Sequence, residues 1–177
     1  GKILVDVKTS GDEAMLLANS LSNATIIVSE NRIKAILKAK ELGCKIIFLD
    51  DGFSKYQISK FNILLRPKDE PTNIFCLPSG GYREPKGFYA QANIELLEGT
   101  DFERVISIKN DGKVCELPAK TILITAISKP KRLLEFLPKD IKMISFPDHY
   151  AFTKDDILKI QNEYKNYAFV TTGKDFV

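Results

Sequence analysis

The chain has 177 residues, of which 44% are hydrophobic and 28% charged, with a formal net charge of +3 at pH 7. These proportions are typical of a soluble globular protein and exclude an intrinsically disordered chain. The charge is too small and too dispersed to indicate a nucleic-acid-binding protein, but it would not oppose an anionic lipid surface or a phosphorylated substrate. The three widely separated cysteines, with no C-x-x-C pair, indicate a reducing cytosol and no metal cluster.

The first half of the chain predicts alternating strands and helices. Apolar, β-branched runs predict strands at residues 3–7, 24–28, 46–49 and 61–65, and periodic apolar spacing predicts helices at about residues 10–21 and 31–42. Ser10 and Glu13 have the spacing of a capping box, and Gly43 is a helix stop signal. Strand, helix and strand in this order predict βαβ units with a parallel sheet.

The second half begins with a turn signal and then returns to the same alternation. Asn110-Asp111-Gly112 lies between alternating apolar runs and predicts a β-hairpin. Beyond it we predict strands at residues 121–127, 141–146 and 167–171, and helices at 130–137 and 153–166, the last with a Thr153–Asp156 capping box. The overall prediction is an α/β protein with a larger parallel-sheet domain at residues 1–103, a hairpin connector at 104–117 and a smaller α/β domain at 118–177.

Two adjacent acids follow the apolar run at residues 46–49. Asp50, Asp51 and Gly52 would lie at the carboxyl end of a buried strand, where open α/β sheets bind their ligands. Two carboxylates there favour Mg²⁺, as after a Walker B strand. An Asp-rich turn is the alternative, because D-G is a common turn dipeptide.

Three further positions have both a functional and a structural interpretation. Asp12 either faces a ligand from a strand-to-helix turn or, like Glu13, only stabilises the positive end of a helix. Arg83, in the irregular stretch L-P-S-G-G-Y-R-E-P, either binds phosphate or is a surface arginine in a turn. His149, the only histidine, follows a predicted strand in F-P-D-H-Y and is either a general base tuned by an aspartate or a structural residue.

Four stretches occur in the order and spacing of one known family. They are G-D-E at residues 11–13, D-D-G-F at 50–53, L-P-x-G-x-x-R-E-P at 77–85 and F-P-D-H-Y-x-F-T at 146–153. Through them the chain resembles the tetraacyldisaccharide 4'-kinases, which are the lipid A 4'-kinases of Gram-negative bacteria. The resemblance covers nearly the whole chain and ends with V-T-T-G-K-D at residues 170–175, which is similar to the family's T-E-K-D.

The resemblance implies a kinase that moves the γ-phosphate of ATP to the 4'-hydroxyl of a tetraacylated glucosamine disaccharide 1-phosphate, a lipid A precursor. It implies a P-loop NTPase-like α/β domain joined by a β-ribbon to a smaller α/β domain, located peripherally at the cytoplasmic face of the inner membrane. The membrane contacts would come mostly from parts absent from this chain, and no nucleic acid would be involved. The implied roles are activation of the sugar hydroxyl by Asp12 and His149, binding of Mg²⁺ by Asp50 and Asp51 with Gly52 also at the cofactor, and binding of substrate by Glu13 and Arg83.

The chain also departs from the family pattern. No G-x-x-x-x-G-K-[ST] loop occurs, so we expect a truncated kinase sequence that is inactive as it stands. The family's D-D-G-F-Q-H continues here with Ser54 and Lys55, and T-E-K-D has become T-G-K-D. The alternative is a non-catalytic, degenerate relative that binds a phosphorylated glycolipid or a protein partner.

The two halves of the predicted site lie on different sides of the hairpin. Asp12 precedes the hairpin and His149 follows it by more than thirty residues. We therefore expect the pair to meet across a cleft that closes by a hinge at the hairpin.

Overall fold

The computed structural model describes residues 2–177 and shows a mixed α/β protein. The α-helices are α1 (Val7–Ser10), α2 (Asp12–Ser20), α3 (Arg32–Glu41) and α4 (Lys154–Glu163). The strands are β1 (Ile63–Arg66), β2 (Ile94–Leu97), β3 (Lys109–Asn110), β4 (Lys113–Val114), β5 (Thr121–Thr125), β6 (Lys142–Ser145) and β7 (Ala168–Val170). Two 3₁₀-helices cover Lys86–Gln91 and Pro130–Phe136. The predicted α/β class is therefore confirmed, with small parallel sheets.

The described residues form two compact units. The first unit contains the residues up to Asn31 together with Ile106–Val177, and the second unit contains Arg32–Val105. The start of the chain thus groups with the C-terminal part and not with the segment that follows it. The domain boundaries that the sequence places at residues 103 and 117 remain predictions.

The first unit is built on a three-stranded parallel sheet in the order β6-β5-β7. All five residues of the central strand β5, T-I-L-I-T, are buried, as expected for a parallel strand covered on both faces. Ile122 and Ile124 of β5 and Ile160 of α4 form the core, against which partly buried Ile144, Phe146, Phe152, Tyr164 and Tyr167 pack. The predicted capping box at the start of α4 is confirmed, because Thr153 and Asp156 each accept the other's backbone N–H.

The second unit has a two-stranded parallel sheet, β1-β2, beside a network of ion pairs. Glu70 accepts hydrogen bonds from Tyr82 at 3.0 Å and Lys86 at 2.6 Å, and it forms an ion pair with Arg66. Arg66 also binds Glu95 at 2.9 Å. This network anchors the L-P-S-G-G-Y-R-E-P loop through Tyr82. Tyr82 is the buried side chain of that loop, with 4% of its surface exposed.

The two glycines of that loop have a steric role. A Cβ atom at Gly80 would lie 2.1 Å from the carbonyl oxygen of Phe75, and one at Gly81 would lie 2.8 Å from the ring of Pro71. The structure shows that they let the backbone approach its own chain.

Three predicted strands are wrong. Residues 3–7 lead into the short helix α1, and residues 24–28 and 46–49 have no regular structure. Ile46 and Phe48 are 74% and 85% exposed, so the run is not a strand buried on both faces. The physical reason is the absence of a partner: in the described chain no strand lies alongside residues 46–49, and without one an apolar run gains neither ladder hydrogen bonds nor burial.

The remaining predicted elements are found within a few residues of their expected bounds. The hairpin is present as the antiparallel pair β3-β4, and the helix predicted at residues 130–137 is a 3₁₀-helix. None of the helices in the described part of the chain combines the length and apolar character that crossing a membrane requires.

A matched pair of isoleucine substitutions tests this assignment of the core. Ile122→Ala removes a fully buried side chain and should lower the free energy of unfolding by about 2–5 kcal/mol. Ile46→Ala removes an exposed side chain and should change it by less than about 0.5 kcal/mol. Urea denaturation followed by circular dichroism measures both free energies. Equal losses for the two variants would show that residues 46–49 are buried, as the sequence predicted.

Candidate active site

Asp12 is the first residue of α2, and its carboxylate lies at the positive end of that helix. Its Oδ1 accepts the backbone N–H of Glu13 at 2.8 Å. The predicted Ser10–Glu13 capping box does not form. Gly11, at φ +84°, separates α1 from α2 and is the N-cap of α2, while the Ser10 hydroxyl donates to the carbonyl of Asp6 at 2.9 Å. Glycine tolerates this left-handed backbone, which explains why two helices can follow each other so abruptly.

His149 lies in the loop that leaves β6, in a backbone conformation that is uncommon for a side-chain-bearing residue. Its φ is +59°, which costs roughly 1–2 kcal/mol relative to the right-handed region. The backbone N–H of His149 donates to the carbonyl of Ala126, directly after β5, at 2.9 Å. This bond holds the loop against the carboxyl end of the central strand, and a strained residue held in that place is typical of a functional site.

Aromatic residues of the same loop support His149. The rings of Phe146, Tyr150 and Phe152 contact one another with centroids 4.9–5.7 Å apart. The Tyr150 hydroxyl donates to Asp156 of α4 at 3.1 Å. The aromatic positions of F-P-D-H-Y-x-F-T therefore fix the loop, while its histidine remains 62% exposed.

The structure brings Asp12 and His149 together although 137 positions separate them in the chain. Oδ2 of Asp12 lies 2.9 Å from Nδ1 of His149. Both residues belong to the first unit, so the expectation that a hinge must close to form the pair is wrong for this structure. A carboxylate can only accept, so Nδ1 carries the proton and a neutral ring keeps Nε2 as an acceptor. Nε2 lies 3.8 Å from the Asp148 carboxylate, which is beyond hydrogen-bonding distance.

A lysine near the end of the chain completes the cluster. Nζ of Lys174 lies 3.1 Å from Oε1 of Glu13 and 3.6 Å from Oδ2 of Asp12. Burial alone raises the pKa of Asp12, but the hydrogen bonds from His149 and Glu13 and the charge of Lys174 hold it below its usual value. Sequence reasoning missed Lys174. The available signal was the position of this lysine in T-G-K-D, which the sequence relates only to the family's T-E-K-D.

A second group of predicted site residues lies in the second unit. Asp51 stands in a tight turn at φ +48°, and its Oδ2 lies 2.6 Å from Nη1 of Arg83. Asp50 accepts the backbone N–H of Asp51 at 3.0 Å. Gly52 folds back on Leu49, where a Cβ would lie only 2.7 Å from the Leu49 Cβ, so its steric role is clear. Asp51 and Arg83 are 71% and 72% exposed, and such a pair contributes at most about 1 kcal/mol to stability.

The donors of this second group are compatible with a magnesium ion. Among residues 2–177, no group of three or more His, Cys, Asp or Glu side chains is arranged to hold a metal ion. Mg²⁺ in phosphoryl-transfer sites, however, takes only one or two carboxylates and uses waters and phosphate oxygens for the rest. Asp50 and Asp51 provide that number of hard oxygen ligands, with Arg83 as a competing partner of Asp51.

The first-unit cluster consists of Asp12, Glu13, His149 and Lys174. Together with the fold, it defines an α/β protein with a carboxylate–imidazole pair near the carboxyl end of its central strand. The family model for tetraacyldisaccharide-1-P 4'-kinase matches residues 2–177. The chain belongs to the tetraacyldisaccharide 4'-kinase family.

Individual relatives agree with this assignment. The tetraacyldisaccharide 4'-kinase of Aliarcobacter butzleri (strain RM4018) is 77% identical over 177 residues, which cover 100% of this chain and 56% of the relative. Those of Helicobacter pylori (strain 26695) and Campylobacter jejuni subsp. doylei are 44% and 43% identical, over 100% and 99% of this chain and 55% of each relative. The chain therefore spans about half the length of the curated relatives that it matches. No solved structure matches it.

The lowered pKa of Asp12 predicts how stability depends on pH. Because the folded-state pKa lies below the usual value of 3.8, ionised Asp12 stabilises the fold above that pH, and this contribution is lost as the pH falls through the folded-state value. Asp12→Asn should therefore cost stability at pH 6 and progressively less as the pH falls below about 4. Urea denaturation across this range measures the effect, with exposed Asp140→Asn as the control. A cost that is the same at pH 6 and at pH 2 would show that Asp12 gains nothing from its charged neighbours.

Proposed function

We propose that this chain is part of a kinase that transfers the γ-phosphate of ATP to the 4'-hydroxyl of a tetraacylated glucosamine disaccharide 1-phosphate. The observation that carries the proposal is the 2.9 Å contact of Asp12 with His149, which joins the G-D-E and D-H motifs in a chain of this family. Lipid A biosynthesis at the cytoplasmic face of the bacterial inner membrane is the corresponding setting. We also propose that the complete protein has a P-loop NTPase-like core.

The first-unit cluster supplies the acid–base step. With Nδ1–H bonded to Asp12, the exposed Nε2 of His149 accepts the proton of the sugar hydroxyl as its oxygen attacks the γ-phosphorus. The new O–P bond forms as the bond between the γ-phosphorus and the β–γ bridging oxygen breaks, and ADP leaves with that electron pair. Asp12 stabilises the imidazolium that results. Glu13, next to Asp12, is assigned to the substrate.

The second-unit residues are assigned to the phosphates. Asp50 and Asp51 would hold Mg²⁺, which neutralises phosphate charge during transfer. Gly52 allows the sharp turn that presents them. Arg83 is assigned to the substrate's head group, because a guanidinium binds phosphate oxygens in a bidentate manner. Its contact with Asp51 shows that the guanidinium can be held beside the acid pair.

The direct test is an assay of the protein expressed from its complete reading frame. It should transfer ³²P from γ-labelled ATP to a tetraacyldisaccharide 1-phosphate in the presence of Mg²⁺, whereas the 177-residue chain should transfer none. A complete protein that binds the glycolipid but transfers no phosphate would favour the non-catalytic alternative.

The acid–base pair predicts strong non-additivity. Asp12→Ala and His149→Ala should each lower kcat by about 100-fold or more. The histidine variant removes the proton acceptor, Nε2, and the aspartate variant removes the carboxylate that orients it. The double variant should be little worse than either single variant. Steady-state kinetics of the four proteins measure this, and losses that multiply would show that the two residues act independently.

The acid pair of the second unit gives a separate prediction. Asp51→Asn should lower kcat by at least about 100-fold, because charge stabilisation of the transferring phosphate is lost. It should leave the free energy of unfolding within about 1 kcal/mol of wild type, since the side chain is exposed. Exposed Asp69→Asn in the same unit is the control. Wild-type turnover of Asp51→Asn would leave Asp51 with only its role in the turn.

A further inference from the structure

The loop that follows β7 is held to the central strand by a partly buried hydrogen-bond network. Oδ2 of Asp175 accepts from the hydroxyls of Thr125 at 2.8 Å and Thr172 at 2.7 Å, and Oδ1 accepts the backbone N–H of Ala126 at 3.2 Å. Thr125 is fully buried as the last residue of β5. Hydrogen bonds to a charged acceptor in a partly buried site are strong, so Asp175 fixes this loop against the carboxyl end of β5.

The same loop also lies close against α2, the helix that begins with Asp12. A Cβ atom at Gly173 would approach Cδ1 of Leu16 to 3.0 Å, which is tighter than ordinary van der Waals contact. A side chain at position 173 would therefore require Leu16 or the loop to shift by a few tenths of an ångström. Gly173 and Asp175 together determine where the residue between them, Lys174, is placed.

Lys174 reaches both acids at the start of α2. Its side chain is 25% exposed and that of Asp12 is 23% exposed, so their attraction is screened less than that of a surface pair. Burial alone lowers the pKa of Lys174, but the hydrogen bond with Glu13 and the charges of Asp12, Glu13 and Asp148 raise it overall. Lys174 is therefore a fixed positive charge in the cluster.

The contacts of Lys174 favour a role in positioning over direct binding of phosphate. An ammonium group that lies between two carboxylates, at 3.1 and 3.6 Å, offers little net positive charge to an anionic substrate. The same contacts restrain Asp12 at Oδ2, whereas its backbone bond is to Oδ1. Oδ2 of Asp12, the atom that binds His149, is also the oxygen of Asp12 that pairs with Lys174.

We propose that Lys174 is a positioning residue for the Asp12–His149 pair, and that Asp175 holds Lys174 in place through Thr125. Lys174 keeps the Asp12 carboxylate ionised and directed at Nδ1 of His149, so that Nε2 is the ring atom that accepts a proton. The kinetic part of this inference rests on the proposed kinase function. The structural part concerns the pair itself.

The kinetic test compares Lys174→Met, Lys174→Arg and the control Lys165→Met, an exposed lysine of the same unit, in the protein expressed from its complete reading frame. Lys174→Met should lower kcat by about 10- to 100-fold through misplacement of the pair, with KM within about twofold of wild type. The acid limb of its pH–rate profile should move to higher pH, since removal of a positive charge favours protonation of the Asp12–His149 pair. Lys174→Arg should restore most of the rate, and Lys165→Met should match wild type.

A spectroscopic test does not depend on turnover. The ¹⁵N signals of the His149 ring, identified by comparison with His149→Gln, report which nitrogen carries the proton at alkaline pH. Wild type should show the Nδ1–H form, and Lys174→Met should shift the ring towards the mixture of tautomers found for free imidazole. Lys174→Gln keeps a polar end and replaces the Met variant if the latter does not fold.

The two readouts separate the possible failures. An inactive wild-type protein whose His149 tautomer still responds to Lys174 would overturn the proposed function and leave the positioning role in place. An active protein in which the Lys174 variants keep the wild-type tautomer, kcat and pH profile would overturn the positioning role alone. A raised KM with unchanged kcat would also overturn it, because it would assign Lys174 to substrate binding.

Discussion

The carboxyl end of β5 is the constraint on which the first unit depends. Its last residue and the one after it form hydrogen bonds with two different loops. Thr125 accepts the backbone N–H of Phe146 and donates its hydroxyl to Asp175, and Ala126 accepts the backbone N–H of His149 and donates its own N–H to the same carboxylate. These loops come from neighbouring parallel strands, whose carboxyl ends necessarily lie at one edge of the sheet. A fully buried strand therefore positions the loops that carry His149 and Lys174.

Electrostatics then determines what these loops can do. The cluster combines two residues from the start of α2, Asp12 and Glu13, with Lys174 from the loop after β7 and His149 from the loop after β6. Its acidic and basic groups alternate: Lys174 pairs with Glu13 and Asp12, and Asp12 binds His149. The helix end beside Asp12 and the ammonium of Lys174 both favour an ionised carboxylate. An ionised Asp12 fixes the tautomer of the histidine, and the exposure of the ring leaves its other nitrogen open to a ligand.

The second unit shows a different balance of forces. Its acid pair and Arg83 are exposed, and the partly buried Glu70 anchors the loop around Tyr82. Several large apolar side chains, such as those of Ile46 and Phe48, are also exposed. Periodicity could identify that run as apolar, but burial depends on a partner strand, and an apolar run does not encode its partner.

The sequence by itself determined the elements whose signals are local. The T-x-x-D capping box of α4, the D-G turn of the hairpin, the strand β5 and the α3 helix ended by Gly43 are all correct, because caps, turns and periodicity act within a few residues. The sequence also singled out Asp12 and His149, although as members of two separate domains. Only the tertiary structure decided that these residues are partners in one unit and that Lys174 joins them. The reason is that a contact between positions 12, 149 and 174 depends on the order of strands in the sheet and on the hydrogen bonds at the end of β5, neither of which is a property of any local stretch of sequence.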